Sequence, residues 1–168
     1  ECLAVLLVGA LSVSFTKLNV CPIDIEEVAG TWDVNEYSPT YGSDNYTITI
    51  EHQQADTIKI YGLYPYTIAD QRPDFIKAVV DLTAGQEKII IPNQYYADHP
   101  DYDTVQLGGL DADTDKFNTC DMVITTSYQI FVDAGYFDQL VPSVWTKVSD
   151  EVKKDAVKKQ FSVRDELH

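Results

Sequence analysis

The feature that most constrains this chain is a two-residue alternation of apolar and polar side chains on both sides of a short polar turn. Apolar residues occupy every second position of residues 45–51, and residues 57–63 repeat the pattern after the turn at 53–56. Such alternation is typical of half-buried β-strands, and two alternating runs joined by a short turn predict a hairpin. The side chains on its predicted inner face are Tyr46, Ile48, Ile50, Ile58 and Ile60.

Further strand signals, separated by turn residues, bring the total to about eight strands. The other predicted strands cover residues 30–37, 75–82, 88–92, 104–107, 121–132 and 141–148. Residues 93–103 are predicted as a Tyr- and Asp-rich loop. Evenly spaced alternating strands favour an all-β up-and-down barrel or a sandwich. After Ser149, a good helix N-cap, the composition predicts a short C-terminal helix or a disordered tail.

The first twenty residues predict an exported protein. Residues 2–15 form an uncharged apolar run, which is short for a membrane span but suits the hydrophobic region of a signal peptide with a truncated start. One predicted maturation site lies at small residues near Ala10, Ser12 or Ser14. The alternative is a lipoprotein box at residues 18–21, with Cys21 lipidated. The predicted divisions are signal peptide 1–20, tether 21–28, barrel domain 29–148 and tail 149–168.

The cysteines leave two fates open for Cys21. In an oxidising compartment Cys21 and Cys120 are able to form a disulfide, but an acylated Cys21 has no thiol left for it. Acylation would attach the protein to a membrane through its lipid anchor, whereas the disulfide would leave residues 21–28 tied to the domain.

The charge of the chain limits its partners. Twenty-seven acidic residues outweigh twelve basic ones, and the formal net charge is −15. This field repels a phosphate backbone, so the charge argues against nucleic acid as a partner. The alternating acids Asp111, Asp113 and Asp115 are a candidate site for a divalent cation. The simpler interpretation is a turn in which aspartates bond the local backbone.

No catalytic motif is found in the sequence. The three histidines are His52, His99 and His168, and they form no metal-binding pair of the kind zinc enzymes use. The sequence contains neither a Gly-x-Ser-x-Gly elbow nor a glycine-rich phosphate loop. We therefore expect no catalytic residues, no cofactor and no enzyme activity. A hydrolase that uses two of the many carboxylates is the third alternative.

An ordered series of short motifs resembles a known family. Gly30, Thr31 and Trp32 match the Gly-x-Trp that opens the first strand of lipocalin-like (calycin) barrels, where the tryptophan plugs one end. With the apolar leader, Cys21 and the strands at residues 46–51, 58–65 and 89–94, the chain resembles small lipocalin-like lipoproteins of Bacteroidota cell envelopes. The resemblance implies an eight-stranded meander barrel, an envelope or outer-membrane location and a ligand in the barrel.

Aromatic residues supply the candidate ligand-binding side chains. Tyrosine offers an apolar ring and a polar tip, which suit stacking on sugars or apolar ligands. The predicted ligand-binding residues are Trp32, Tyr61, Tyr64, Tyr66, Tyr95 and Tyr96, with Tyr102 close by in the sequence. The leading hypothesis is therefore a non-enzymatic envelope lipoprotein that binds a small hydrophobic molecule or a glycan. The alternative is a structural component of an envelope complex, with a packed barrel and no ligand.

Overall fold

The protein is built almost entirely of antiparallel β-strands, as the alternation predicts. A computed structural model describes residues 21–65 and 73–152. The predicted signal peptide, Tyr66, His168 and nearly all of the predicted tail lie outside these residues. The described strands are β1 (Gly30–Ser38), β2 (Gly42–Gln54), β3 (Thr57–Tyr61), β4 (Ile76–Asp81), β5 (Lys88–Ile90), β6 (Gln94–His99), β7 (Asp103–Gly109), β8 (Lys116–Asn118), β9 (Val123–Val132) and β10 (Gly135–Ser149).

The strands form one strongly curled sheet in the order β5-β4-β3-β2-β1-β10-β9-β7-β6, and β8 pairs with β9 beside this path. Each strand mostly pairs with a neighbour in sequence, as in a meander, and β1 joins the two chain ends by pairing with β10. The all-β, barrel-like fold predicted from the sequence is confirmed. The prediction of about eight strands missed β8, and it was wrong to treat residues 93–103 as a loop, because β6 lies there.

The topology gives the barrel two distinct ends. The turns at residues 39–41, 100–102 and 133–134, together with the loop residues 62–65 and 73–75, lie at one end, which we call the aromatic end. The disulfide end carries the turns at residues 55–56, 82–87, 110–115 and 119–122. Both termini of the described chain, residues 21 and 152, leave from the disulfide end because β1 begins and β10 ends there.

Trp32 fills the interior at the disulfide end. Its side chain is fully buried, its indole Nε1 donates to the Val28 carbonyl oxygen at 3.0 Å, and its ring packs edge-on against Phe117 at 6.1 Å between centroids. Trp145 is likewise fully buried, opposite Val34 in the register of β1 and β10. Tryptophan side chains bury large apolar areas, so this pair anchors the core.

The segment predicted as a tether is folded onto the barrel. Residues Ile25–Val28 form a 3-10 helix, with a capping box between Asp24 and Glu27, and Val28 is fully buried. Cys21 is disulfide-bonded to Cys120 in the turn before β9, with 4.9 Å between their Cα atoms. The structure therefore contains the disulfide, one of the two alternatives that the sequence left open for Cys21. Ser149, the predicted N-cap, is the last residue of β10.

The curled sheet closes where β5 leaves β4. The β4–β5 register pairs Val79 with Ile90, and its continuation would place Pro92 opposite Lys77. Proline cannot donate to a ladder, so this pairing ends. Instead the side chain of Gln94 accepts from the Lys77 amide at 2.8 Å and donates to the Lys77 carbonyl oxygen at 2.8 Å. One side-chain amide thus replaces the missing peptide group.

Two backbone bonds tie the other side of this segment to the far half of the sheet. The Gly109 amide donates to the Ile91 carbonyl oxygen at 2.7 Å, and the Phe117 amide donates to the Glu87 carbonyl oxygen at 2.6 Å. Gly108 lies close to this crossing, and a Cβ atom there would lie only 1.9 Å from the Asn93 side-chain oxygen, so a larger residue would displace the Asn93 side chain. The barrel therefore closes through a short crossing rather than through a continuous strand pair.

Removing the Gln94 amide should weaken this closure. We expect Gln94→Ala to lower the free energy of unfolding by about 1–2 kcal/mol and to speed hydrogen exchange at the Lys77 amide. Gln139→Ala is the matched control, because the Gln139 amide bonds another side chain, that of Gln129. Urea unfolding and amide exchange provide the two measurements. Equal effects of the two substitutions would contradict the role assigned to Gln94.

The disulfide joins two cysteines that are 99 residues apart in the sequence, so it should contribute strongly to stability. In the chain-entropy treatment, a cross-link of this span restricts the unfolded chain by roughly 4–5 kcal/mol. We expect Cys120→Ala to lower the unfolding free energy by several kcal/mol, and non-reducing peptide mapping of the protein from its native source to recover Cys21 linked to Cys120. An acyl group on Cys21 in that map would show the other fate instead.

Candidate functional site

The interior near the aromatic end holds a buried carboxylate, that of Glu36, which is 3% exposed. Its Oε1 accepts from the Tyr46 hydroxyl at 2.8 Å, and its Oε2 accepts from the Tyr128 hydroxyl at 2.9 Å and from the Ser143 hydroxyl at 2.6 Å. Trp145 Nε1 donates to the Ser143 oxygen at 2.7 Å. These hydroxyls stand in for water around a charge that would otherwise be too costly to bury.

Burial determines the acid–base behaviour of this group. Desolvation raises the pKa of Glu36, and the hydroxyls of Ser143, Tyr46 and Tyr128 oppose that rise. Burial also raises the pKa values of Tyr46 and Tyr128 well above the ordinary value, and the neighbouring Glu36 raises both further. Both phenols are therefore protonated donors at neutral pH.

A second buried carboxylate, that of Asp138, lies closer to the aromatic end. Its Oδ2 accepts from the Ser38 hydroxyl at 2.5 Å and from the Tyr64 hydroxyl at 3.1 Å. Tyr64 is 1% exposed and has a positive φ of 54°. Its carbonyl oxygen accepts from the Tyr96 hydroxyl at 2.7 Å, and its ring packs edge-on against the rings of Tyr96 and Tyr128. Burial and the nearby Asp138 raise the pKa of Tyr64.

The cavity between the interior and the start of β4 is too small for an organic ligand. It lies against Ile60, Leu63, Ile76 and Tyr96 and has a volume of about 10 Å³. That volume is close to the room that one water molecule needs. Leu107, Ile130 and Leu140 are also fully buried in the interior. Side chains therefore occupy this part of the described interior.

The predicted ligand-binding residues do not converge on one pocket. Trp32, Tyr64 and Tyr96 are core residues, and Tyr66 lies outside the described chain. Tyr61 is half-buried, and its hydroxyl donates to Glu51 at 2.7 Å. Tyr95 is exposed on β6, where desolvation and then the neighbouring Asp98 raise the pKa of its phenol. Tyr64 and Tyr96 do meet, but inside the packed barrel.

Exposed and half-buried aromatic rings lie together instead at the aromatic end. We call one group the aromatic triad: His99, Tyr102 and Phe137. The distance between ring centroids is 5.0 Å from His99 to Tyr102, 5.8 Å from His99 to Phe137 and 5.1 Å from Tyr102 to Phe137. Tyr102 is 50% exposed and Tyr136, next to Phe137, is 63% exposed. The triad joins the β6–β7 turn to β10, so it depends on tertiary structure.

The turn before β2 completes this surface. Thr40 donates its hydroxyl hydrogen to the Phe137 carbonyl oxygen at 3.2 Å, which ties the β1–β2 turn to the triad. The Ser38 hydroxyl oxygen accepts from the Tyr41 amide at 2.8 Å. Partial burial, and then the nearby Asp138, raise the pKa of the Tyr41 phenol, whose ring still reaches solvent. Partly exposed rings therefore lie beside the polar groups of the β1–β2 turn.

The acidic turn at the disulfide end borders a cleft of about 670 Å³ between residues 85–88 and 111–119. The Asp111 carboxylate accepts from Lys88 Nζ at 2.6 Å, and Asp115 Oδ2 accepts from the Ala112 amide at 3.2 Å. Burial raises the pKa of Asp115. Among residues 21–65 and 73–152, no three His, Cys, Asp or Glu side chains are placed to hold a metal ion, so Asp111, Asp113 and Asp115 are not gathered into such a site.

Candidate hydrolytic groups lie apart from one another. His52 Nε2 lies 2.9 Å from the Ala55 carbonyl oxygen at the disulfide end, and its Nδ1 lies 3.8 Å from the Glu26 carboxylate. His99 belongs to the aromatic end, where its Nδ1 accepts from the Asp101 amide at 3.1 Å. The buried carboxylates of Glu36 and Asp138 open onto no described cleft. A hydrolase thus gains no support from this geometry.

No protein-family model, curated protein or solved structure matches this chain. The described residues also include no helix long and apolar enough to cross a bilayer. A functional assignment therefore depends on the contacts within the chain itself.

Sequence reasoning missed both the buried carboxylates and the aromatic triad. The alternation of β1 indicated that Glu36 is buried, because Glu36 lies on the same inward face as Trp32 and Val34. Asp138 carried no such signal, since register shifts in β10 interrupt its alternation. Phe137 joins His99 and Tyr102 across strands that are distant in sequence, and no local pattern indicates that contact.

The raised pKa of Glu36 predicts a pH-dependent contribution to stability. Because the folded pKa lies above the ordinary 4.5, this group favours folding most fully below that value, and the contribution is lost as pH rises through the folded pKa. We expect the stability of Glu36→Gln relative to the unmodified protein to rise as the pH increases from below 4.5 through the raised pKa of Glu36, because only the unmodified protein loses this contribution. Urea unfolding across this range measures it. A constant difference would contradict the shift.

Proposed function

We propose that this protein is an exported, non-enzymatic cell-envelope protein that binds a glycan at the mouth of its barrel. The observation that carries the proposal is the aromatic triad of His99, Tyr102 and Phe137 at one end of the barrel, where Tyr102 is 50% exposed and Phe137 packs against the core. A small hydrophobic ligand enclosed within the barrel, the other ligand considered from the sequence, has no matching cavity among the described residues.

Sugar rings suit this surface. Their axial C–H faces are apolar and stack on aromatic rings, while their hydroxyls need polar partners around the rings. The aromatic end provides both, because exposed tyrosines stand beside Thr40, Asp101 and Asp103. Tyr37, Tyr41, Tyr102 and Tyr136 all belong to this end and are more than 40% exposed.

The position of the chain termini also supports a binding role at the aromatic end. Residues 21 and 152 leave from the disulfide end, so whatever precedes or follows the described chain attaches there. Strand β1 has nine residues. At roughly 3.3 Å per residue, a strand of that length spans about 30 Å. The triad therefore faces away from the attachment points of the chain.

Export to an oxidising compartment is supported by the bond between Cys21 and Cys120, because such disulfides persist in extracytoplasmic proteins. The apolar leader predicted from the sequence agrees with this location. Lipid anchoring at Cys21 and kinship with envelope lipoproteins stay predictions, and the first of them excludes the disulfide.

A second candidate function is the structural one, an accessory component of an envelope complex. The filled interior favours it, since a barrel without a cavity holds its shape without a ligand. In that case the exposed tyrosines would contact a protein partner, because aromatic residues are also enriched in protein interfaces.

Direct binding measurements test the glycan proposal. The probes are β-1,4-linked hexamers of glucose, N-acetylglucosamine and glucosamine and an α-1,4-linked hexamer of galacturonate, titrated into the full chain by calorimetry. We expect at least one of them to bind and Tyr102→Ala to weaken its binding roughly tenfold or more.

The matched control is Tyr95→Ala. Tyr95 is exposed to a similar extent, 46% against 50%, but lies outside the triad. Its removal should leave the affinity unchanged. Absence of binding to all four probes, or equal losses in both variants, would overturn the glycan proposal and favour the structural function.

A further inference from the structure

Among the described residues, Asp101, Asp103 and Asp133 at the aromatic end form no ion pair of the kind found at the disulfide end. There, Lys88 lies 2.6 Å from Asp111, and Lys147 lies 2.6 Å from Asp150. Within the described part of the chain, no ion pair involves Asp101, Asp103 or Asp133. The described turns and loop residues of the aromatic end, at 39–41, 62–65, 73–75, 100–102 and 133–134, include neither lysine nor arginine.

These acids surround the aromatic triad. Asp101 and Asp103 flank Tyr102 in the β6–β7 turn; the Asp101 amide bonds His99 Nδ1, and Asp103 is the register partner of His99. Asp133 lies in the β9–β10 turn, close to Phe137 in sequence. A ligand stacked on Tyr102 therefore lies beside Asp101 and Asp103, which form no ion pair with the described residues; the described cation that reaches this end, Lys59, lies over the Phe75 ring.

We propose that the aromatic end selects glycans that carry free amino groups and rejects acidic glycans, an inference that rests on the proposed glycan-binding function. An ammonium group on a sugar gains attraction and charge-assisted hydrogen bonds from Asp101 and Asp103. A uronic acid meets repulsion from the same groups and from the net charge of −15, because like charges repel across the field of the whole protein. Neutral sugars keep only stacking and hydroxyl contacts.

The glucosamine and N-acetylglucosamine hexamers form a matched pair of probes, because they share length and linkage and differ only in the acetylation, and hence the charge, of one nitrogen per ring. In a mildly acidic buffer the amine of the glucosamine hexamer carries a positive charge, whereas the acetylated nitrogen carries none. We expect the glucosamine hexamer to bind about tenfold more tightly than its acetylated counterpart, and the galacturonate hexamer not to bind.

Charge-removing variants localise the effect. Asp101→Asn with Asp103→Asn should reduce glucosamine binding by roughly two- to fivefold per charge removed. It should reduce N-acetylglucosamine binding less, because asparagine still offers hydrogen bonds to sugar hydroxyls but no charge to an ammonium group. Position 103 has a positive φ of 56°, which asparagine accepts, so the turn is kept. The control is Asp113→Asn, an exposed acid at the disulfide end, which tests for non-specific attraction of a polycation to an acidic protein.

Ionic strength gives an independent readout. Screening shortens the Debye length from about 30 Å at 0.01 M salt to about 8 Å at 0.15 M, so the preference for the amine should shrink as salt is added. Equal binding of the amine and its acetylated form, or a loss in Asp113→Asn as large as in the Asp101/Asp103 variant, overturns the selectivity. The glycan proposal survives either result, provided that Tyr102→Ala still weakens binding and Tyr95→Ala does not.

Discussion

The structure depends on a carboxylate held inside the barrel by hydroxyl groups. Glu36 occupies an inward position of β1, where a charge would be too costly without partners. Tyr46 from β2, Tyr128 from β9 and Ser143 from β10 each donate to it. One side chain thereby fixes the relative placement of four strands, and removing any donor would leave the buried carboxylate less well solvated.

The same network explains why this part of the described interior is filled by side chains. The Tyr64 hydroxyl donates to the Asp138 carboxylate, and the Tyr96 hydroxyl donates to the Tyr64 carbonyl oxygen. The two phenol rings therefore occupy interior space that a ligand would otherwise need. Tyrosines that resembled ligand contacts in the sequence are part of the packing. The rings that remain available to a ligand are those carried by the turns.

The strands could be predicted from the sequence because each depends on a local pattern. The hairpin of β2 and β3 follows from the alternation of Ile48, Ile50, Ile58 and Ile60, whose side chains are all fully buried. Strand β6 was missed because polar residues and a register shift near Tyr96 disguise its alternation. The end of β5 was predictable from Pro92. The hydrogen bonds of the Gln94 side chain to the Lys77 backbone, which replace the missing strand pairing, were not.

The sequence by itself determined the all-β class, the approximate positions of most strands and the negative net charge, since periodicity is carried by neighbouring residues and charge by composition. Only the tertiary structure decided that Cys21 lies close enough to Cys120 to be bonded to it, that Glu36 is solvated by three distant hydroxyls, and that Phe137 meets His99 and Tyr102. Each of these contacts joins strands that the curled sheet brings together, and the distance between such residues is not written in any local stretch of the chain.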